Sequence, residues 1–315
     1  MLFEKFRHTK AFILPHALCM FLIFSCSEKD AIQEVLNPTL TKHIGFNMRW
    51  GDTPIITEKL TTTISRMQPT MLRYPGGTMA HNFNWETGLP SSHSDKDVVH
   101  KIEDVKRMAD ATDTDIVFVL DIVHSTIENQ LEMLKASNVP VLYVEIGNEL
   151  YSDHYEEIFP TGKAYADTIN NWIPRIEKEF PTAKFGVSMI GREAGNERKT
   201  NWNSDVYANI TTNVDALVYH LYVRDDESVQ DRIHRFLPHF IEDETKELWV
   251  TEYGAHSQSL EQTAELADYI ESIADIALSH VLISRSGRFS KINEASEITE
   301  EGLLFEKRAT KNNQY

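Results

Sequence analysis

From residue 43 onward the chain alternates short apolar runs with longer segments in which apolar residues recur every three or four positions. The short runs predict strands at 43–50, 70–74, 115–121, 141–146, 184–189, 216–223, 248–252 and 280–284. Several are apolar almost throughout, Ile116-Val117-Phe118-Val119-Leu120 for one, as parallel strands covered on both faces require. The longer segments predict amphipathic helices. Val98, Ile102 and Val105 mark one, and Ile127, Leu131 and Leu134 another, with Ser125 as its expected N-cap. Tyr165, Ile169, Trp172 and Ile176 mark a third, and Leu266, Ile270, Ile273 and Ala277 a fourth.

Parallel neighbours need a covering crossover, so repeated strand-then-helix units predict an α/β fold, a (β/α)₈ TIM barrel in a single domain. The 315 residues suffice for the ~250 of a typical barrel. The competing architecture is a doubly wound open sheet, but no GxGxxG follows the first strand. After Arg285 no eighth helix stands out.

The N-terminal segment has its own pattern. Lys5, Arg7 and Lys10 precede an uncharged stretch over 11–25, shorter than the ~20 residues of a comfortable membrane span and suited to the core of a signal peptide. It ends at Ile23-Phe24-Ser25-Cys26, similar to a bacterial lipobox. The expected organisation is a lipoprotein-type leader over 1–25, lipidation at Cys26, a polar tether over 26–41 and the barrel over 42–315. The product is then exported and lipid-anchored to a bacterial outer membrane, on its periplasmic face or the cell surface; ordinary cleavage to a soluble product is the alternative. Cys19, the other cysteine, falls in the leader, so the mature chain has no disulfide. The net charge of −17 argues against a nucleic-acid partner.

In a barrel, chemistry gathers where strands run into loops at the C-terminal face. There the strands offer Trp50, Arg73, Asp121 with His124, Asn148-Glu149, His220 with Tyr222, and Glu252. Two carboxylates on separate strand ends in one mouth suit glycoside hydrolysis, one protonating the leaving oxygen and the other attacking the sugar carbon or positioning water. Glu145 shares strand parity with Glu149 and reads as a buried support residue. Gly76-Gly77 after Pro75 reads as a backbone turn. No HExxH spacing occurs, so no catalytic metal and no cofactor are expected.

The local sequences carry a resemblance. Val144-Glu145-Ile146-Gly147-Asn148-Glu149 and Leu248-Trp249-Val250-Thr251-Glu252-Tyr253-Gly254 resemble the acid/base and nucleophile strands of clan A glycoside hydrolases, which are retaining TIM barrels. Leu72-Arg73-Tyr74-Pro75-Gly76-Gly77-Thr78 resembles the second strand of the arabinofuranosidase-, glucuronidase- and xylosidase-like branches, and Val218-Tyr219-His220-Leu221-Tyr222 the sixth. The resemblance implies Glu149 as acid/base and Glu252 as nucleophile. It implies Asn148 on a sugar hydroxyl, Tyr222 or His220 holding the nucleophile, and Arg73 keeping it ionised. Trp50 and Trp85 are candidates for stacking on sugar rings or, equally, for packing. The implied activity is retaining O-glycosidase action on plant or algal poly- or oligosaccharides; the alternative is an inactive, lipid-anchored carbohydrate-binding protein on the same scaffold. Two departures stand out: no Trp near the end of the eighth strand, and no room for the usual C-terminal β-sandwich, although Thr299-Glu300-Glu301-Gly302-Leu303 resembles the segment leading into one.

Overall fold

A computed structural model describes residues 43–94, 97–192 and 195–312. The leader, Cys26 and the tether lie outside these residues. Eight parallel strands close into a barrel: β1 His43–Asn47, β2 Met71–Tyr74, β3 Asp115–Val119, β4 Tyr143–Ile146, β5 Lys184–Ser188, β6 Ala216–Val223, β7 Glu247–Ala255 and β8 Ile276–His280. Each pairs with its sequence neighbours, and β1 pairs with β8 to close the ring. The helices are α1 Glu58–Ser65, α2 Glu103–Thr112, α3 Ile127–Ala136, α4 Gly162–Glu179, α5 Glu197–Asn209, α6 Val229–Phe236, α7 Leu260–Ile273 and α8 Glu300–Asn312. The expected (β/α)₈ barrel is therefore the fold.

Most helices start on a side chain that satisfies a free backbone N–H. Thr57, Thr126, Thr161, Asn196, Ser228 and Ser259 accept from the residue three positions on, and Thr299 does so for Gly302 at the head of α8. Thr126 thus takes the capping place expected of Ser125, whose hydroxyl turns to Asn129 instead.

Two further expectations are corrected. The eighth strand is Ile276–His280, four residues earlier than 280–284. Ala277, read as the end of the α7 stripe, belongs to it, because a short apolar run does not announce its own period. An eighth helix does follow Arg285. Its apolar face is small, resting on Phe305 packed edge-on against Phe46 (5.4 Å), while Arg308 ties it to Glu271 and Asp268 on α7. Among the described residues no helix is long and apolar enough to cross a membrane.

The core has two parts. Most buried side chains fill the layer between strands and helices, and a smaller group, including Met71, Val117, Val218, Trp249 and Leu278, plugs the barrel itself. Gly186 makes room for that plug: a Cβ there would stand 2.6 Å from the Trp249 ring. Higher in the barrel the interior becomes polar, and the candidate site begins.

Candidate active site

One strand departs from regular pairing where the site needs it. On β7, Val250 pairs with Tyr219 but Glu252 pairs with His220, the next residue of β6. The ladder with β8 slips in the same stretch, from Val250 opposite Ala277 to Tyr253 opposite Ser279. The extra residue is a β-bulge at Thr251. Strict alternation from the inward Trp249 would send Glu252 outward; the bulge turns it into the barrel.

Arg73, fully buried at the end of β2, organises the floor. Its Nε and Nη2 donate to the two oxygens of Glu145 (3.0 and 2.7 Å). Nη2 also reaches Asn148 Oδ1 (2.9 Å), and Nη1 reaches Asn47 Oδ1 (2.9 Å) and Glu252 Oε1 (2.6 Å). A planar, permanently charged fork is the group that can serve two carboxylates at once. Glu145 has the support position expected of it.

The second oxygen of Glu252 accepts from the Tyr222 hydroxyl at 2.7 Å. Burial disfavours its charge, but His220, Arg73 and the Tyr222 hydroxyl overcome that and bring the carboxyl down to about 2. Glu252 is therefore anionic at any working pH.

Glu149 follows β4 with a left-handed backbone (φ 46°), uncommon for a residue with a side chain. Its Oε1 accepts from Tyr151 (3.0 Å) and lies 2.9 Å from His220 Nδ1. Its side chain is 33 % exposed against 7 % for Glu252. Burial works against its charge too, yet His220 holds its pKa below the ordinary value. Burial pushes the His220 pKa down, while the charge of Glu252 and the hydrogen bond to Glu149 more than restore it, so it ends raised. The pair therefore favours the shared proton on Nδ1 of His220 over Glu149, and Nε2 lies 3.3 Å from Thr251 Oγ1. The same Nδ1 is 3.8 Å from Glu252 Oε2. Through this shared nitrogen the carboxyl groups of Glu149 and Glu252 face one another across the mouth, one at 2.9 Å and the other at 3.8 Å.

Two more histidines, not singled out in the sequence, are held neutral. The Asn148 N–H donates to His81 Nε2 (3.2 Å), which leaves the ring proton on Nδ1, 2.8 Å from the Tyr155 hydroxyl. Burial, with help from His124 and Arg73, lowers its pKa to about 3. Asn47 spends its carbonyl on Arg73, so its amide Nδ2 donates to His280 Nδ1 at 2.9 Å and fixes the His280 proton on Nε2. Burial lowers this histidine to about 4. His280 occupies the end of β8, where the resemblance leads one to expect Trp, and lies 3.7 Å from Glu252.

Glu149, Glu252, Arg73, Asn148, His220 and Tyr222 therefore come together in one mouth. The roles of some differ from expectation. Arg73 is sealed beneath the site and reaches sugar only through the groups it positions. Tyr222 holds Glu252, whereas His220 bonds Glu149. Trp50 is a correction: it is fully buried against Tyr74 and His100, at 5.3 and 5.2 Å, and no sugar can reach it. Trp85 is half-buried, donates to Asn129 and lines a cleft of about 380 Å³ with Asp121 and His124. Tyr151, Asn47 and His280 complete the site without a motif to flag them, and Thr251 lies within the Leu248–Gly254 motif without a role assigned to it there.

Residues 163–314, the half that carries Glu252, match a family model described as glycosyl hydrolase catalytic core. No curated protein matches the chain in sequence. Among solved structures, the chain is similar to an α-L-arabinofuranosidase from Thermotoga maritima in complex with arabinose (TM-score 0.61, 16 % identity, 85 % of this chain and 70 % of that one). It is also similar to a family 51 α-L-arabinofuranosidase from Bifidobacterium longum (TM-score 0.66, 14 % identity, 89 % and 75 %). A third is β-glucuronidase 2 from Bacteroides uniformis (TM-score 0.57, 14 % identity, 85 % and 35 %). At these identities the likeness is one of fold.

Proposed function

Proceeding from a glycosyl hydrolase catalytic core on an eight-stranded parallel barrel, which support a clan A glycosidase, we propose that the chain cleaves O-glycosidic bonds with retention. Glu252 is the nucleophile and Glu149 the acid/base. The observation that carries this reading is the unequal treatment of two neighbouring carboxylates: Glu252 is clamped as an anion by Arg73 and Tyr222, while Glu149 shares a proton with His220. Pairs of titratable groups set apart in this way mark acid and base assignments.

In the first step a lone pair of Glu252 forms a bond to the anomeric carbon as the bond to the leaving oxygen breaks. The proton moves from His220 across the 2.9 Å hydrogen bond to Glu149 and on to that oxygen. The covalent bond consumes the charge of Glu252, which is the largest favourable influence on the His220 cation. His220 is then neutral and Glu149 anionic, the state needed to deprotonate water. Water attack releases the sugar and Glu252, and the proton returns to the pair. The proposed substrates are plant or algal poly- or oligosaccharides, and the proposed location is the outer membrane through a lipid on Cys26.

The test separates the two roles. Glu252→Ala should abolish turnover of every glycoside. Glu149→Ala should still form the glycosyl-enzyme from an aryl glycoside with an acidic phenol, giving a phenol burst, while natural substrates lose roughly 10²–10⁴-fold. Azide should accelerate the slow second step and yield a sugar azide of retained configuration. Loss that ignores leaving-group acidity, with no burst, would remove Glu149 from the role. Absence of turnover by the unmutated protein across a broad panel would leave a binding protein.

A further inference from the structure

The chain carries a net charge of −17, and most of its arginines are matched to acids. On the barrel rim, Arg49 pairs with Asp52, and Arg285 with Asp52 and Asp97. Among the described residues, the arginines without such a pair are Arg192, Arg198, Arg224 and Arg288. Arg198 is occupied with the carbonyls of Leu150, Tyr151 and Phe159. The other three stand on the loops that follow β5, β6 and β8, at the mouth of the site.

Arg288 is the best placed. Its guanidinium lies 5.1 Å from the centre of the Phe289 ring, and Nη2 donates to His256 Nδ1 (3.1 Å) and to the His256 carbonyl (3.2 Å). His256 accepts on Nδ1, so its ring proton is on Nε2. The Phe289 ring also touches His256 at 5.5 Å, His280 at 5.7 Å and Tyr222 at 6.2 Å. Tyr222 in turn bonds the nucleophile. One aromatic ring thus gathers a guanidinium and two neutral imidazoles. Nε and Nη1 of Arg288, and Nε2–H of both histidines, have no protein partner among the described residues.

This arrangement is built. Phe289 has φ 59° and Gly287 φ 71°, a left-handed pair that is costly for a bulky aromatic residue. Buried Lys291 holds it, donating to the carbonyls of His280 (2.6 Å) and Phe289 (2.9 Å) and pairing with Glu301 of α8 at 2.8 Å. A neutral sugar hydroxyl gains little from a permanent cation maintained at such a position. An acidic sugar does gain, and on a protein of this net charge it needs a local cation to offset repulsion from the rest of the surface.

We propose that the sugar attacked by Glu252 bears an acidic group, a carboxylate or a sulfate ester, bound by Arg288 together with the Nε2–H groups of His256 and His280. The proposal rests on the glycosidase reading above. Its test compares 4-nitrophenyl uronides, sulfated 4-nitrophenyl glycosides and their neutral parents of matched configuration. The unmutated protein should favour one acidic form over its neutral parent by about tenfold or more in kcat/KM, and which form it favours tells carboxylate from sulfate. Arg288→Gln should lower that ratio by roughly 10- to 100-fold, as loss of a charge-assisted contact does, with Arg288→Lys in between. A neutral parent cleaved as well as both acidic forms, or a ratio that Arg288→Gln leaves in place, overturns the proposal and leaves the glycosidase reading intact. If no glycoside is cleaved, the glycosidase reading falls, and calorimetry with oligouronates, sulfated oligosaccharides and neutral oligosaccharides decides this one. Acid-selective binding lost in Arg288→Gln supports the anionic site; equal or absent binding of all three sinks it.

Discussion

Tyr222 donates to Oε2 of Glu252 at 2.7 Å, so the oxygen that Arg73 does not touch also has a donor. Each Glu252 oxygen is therefore stabilised by a different side chain. Tyr222→Phe should cost roughly 10- to 100-fold in kcat/KM, the value of a hydrogen bond to a charged group. It should also change the pH profile. Glu252 has a depressed pKa of about 2, and losing a donor to its ionised form raises it. The acidic limb of kcat/KM should then move to higher pH; a loss of rate with an unmoved limb would mean that the phenol acts elsewhere.

Arg73→Met should be a stability mutant before it is an activity mutant. It strands two buried carboxylates, Glu145 and Glu252, and removes the donors to Asn47 and Asn148. Breaking one side of a buried ion pair costs about 3–5 kcal/mol, which urea unfolding should register as a lower midpoint. Arg73→Lys should recover little of it, because an ammonium cannot span both carboxylates.

Gly77→Ala tests crowding of Glu252. A Cβ at Gly77 would lie 3.0 Å from Glu252 Oε1, on a backbone with φ 52°. The expected outcome is a fall in kcat larger than the change in thermal midpoint would explain. Gly76→Ala is more severe, since its Cβ would meet the Met48 carbonyl at 1.6 Å, and should not yield folded protein.

Acid should destabilise the fold well above the range in which Glu252 titrates. His81 takes up a proton near 6.5 when unfolded but only near 3 when folded, so between these values the unfolded chain binds more protons and stability falls as pH falls. His280, lowered to about 4, acts in the same direction, and His220, whose pKa is raised, in the opposite one. Glu252 adds stability that is present above about 4.5 and lost as pH falls toward about 2. His81→Gln keeps an acceptor for Asn148 and should flatten the slope between pH 3 and 6.5 by up to about 1.4 kcal/mol per pH unit. An unaltered slope in urea unfolding would show that His81 protonates freely in the folded state.

The barrel was legible because its strands are short apolar runs at steady spacing, burial on both faces favours parallel pairing, and no GxGxxG after the first strand spoke for an open sheet. That the two glutamates, Arg73 and Tyr222 share one mouth was legible because each lies toward or just beyond the C-terminal end of its strand. Trp50 occupies such a place as well, but the chain turns beyond β1 into a short 3₁₀ segment and packs the indole inward. His280 was hidden by the misplaced eighth strand, which put it at the beginning of an element it ends. Tyr151 and Arg288 are loop residues, and only tertiary structure brings them to the site.

The bulge at Thr251 makes β7 behave like a text with a frameshift. Up to Val250 the strand is spelled in the phase of the hydrophobic plug; from Glu252 it is spelled in the phase of the mouth. Substitutions upstream can repack the plug without altering which way the carboxylate points. Deleting Thr251 would mend the ladder with Val250 and Glu252 still opposite Tyr219 and His220, so the carboxylate would keep facing the mouth. Ironing the bulge flat with every residue kept would do the reverse, and turn Glu252 away from the mouth.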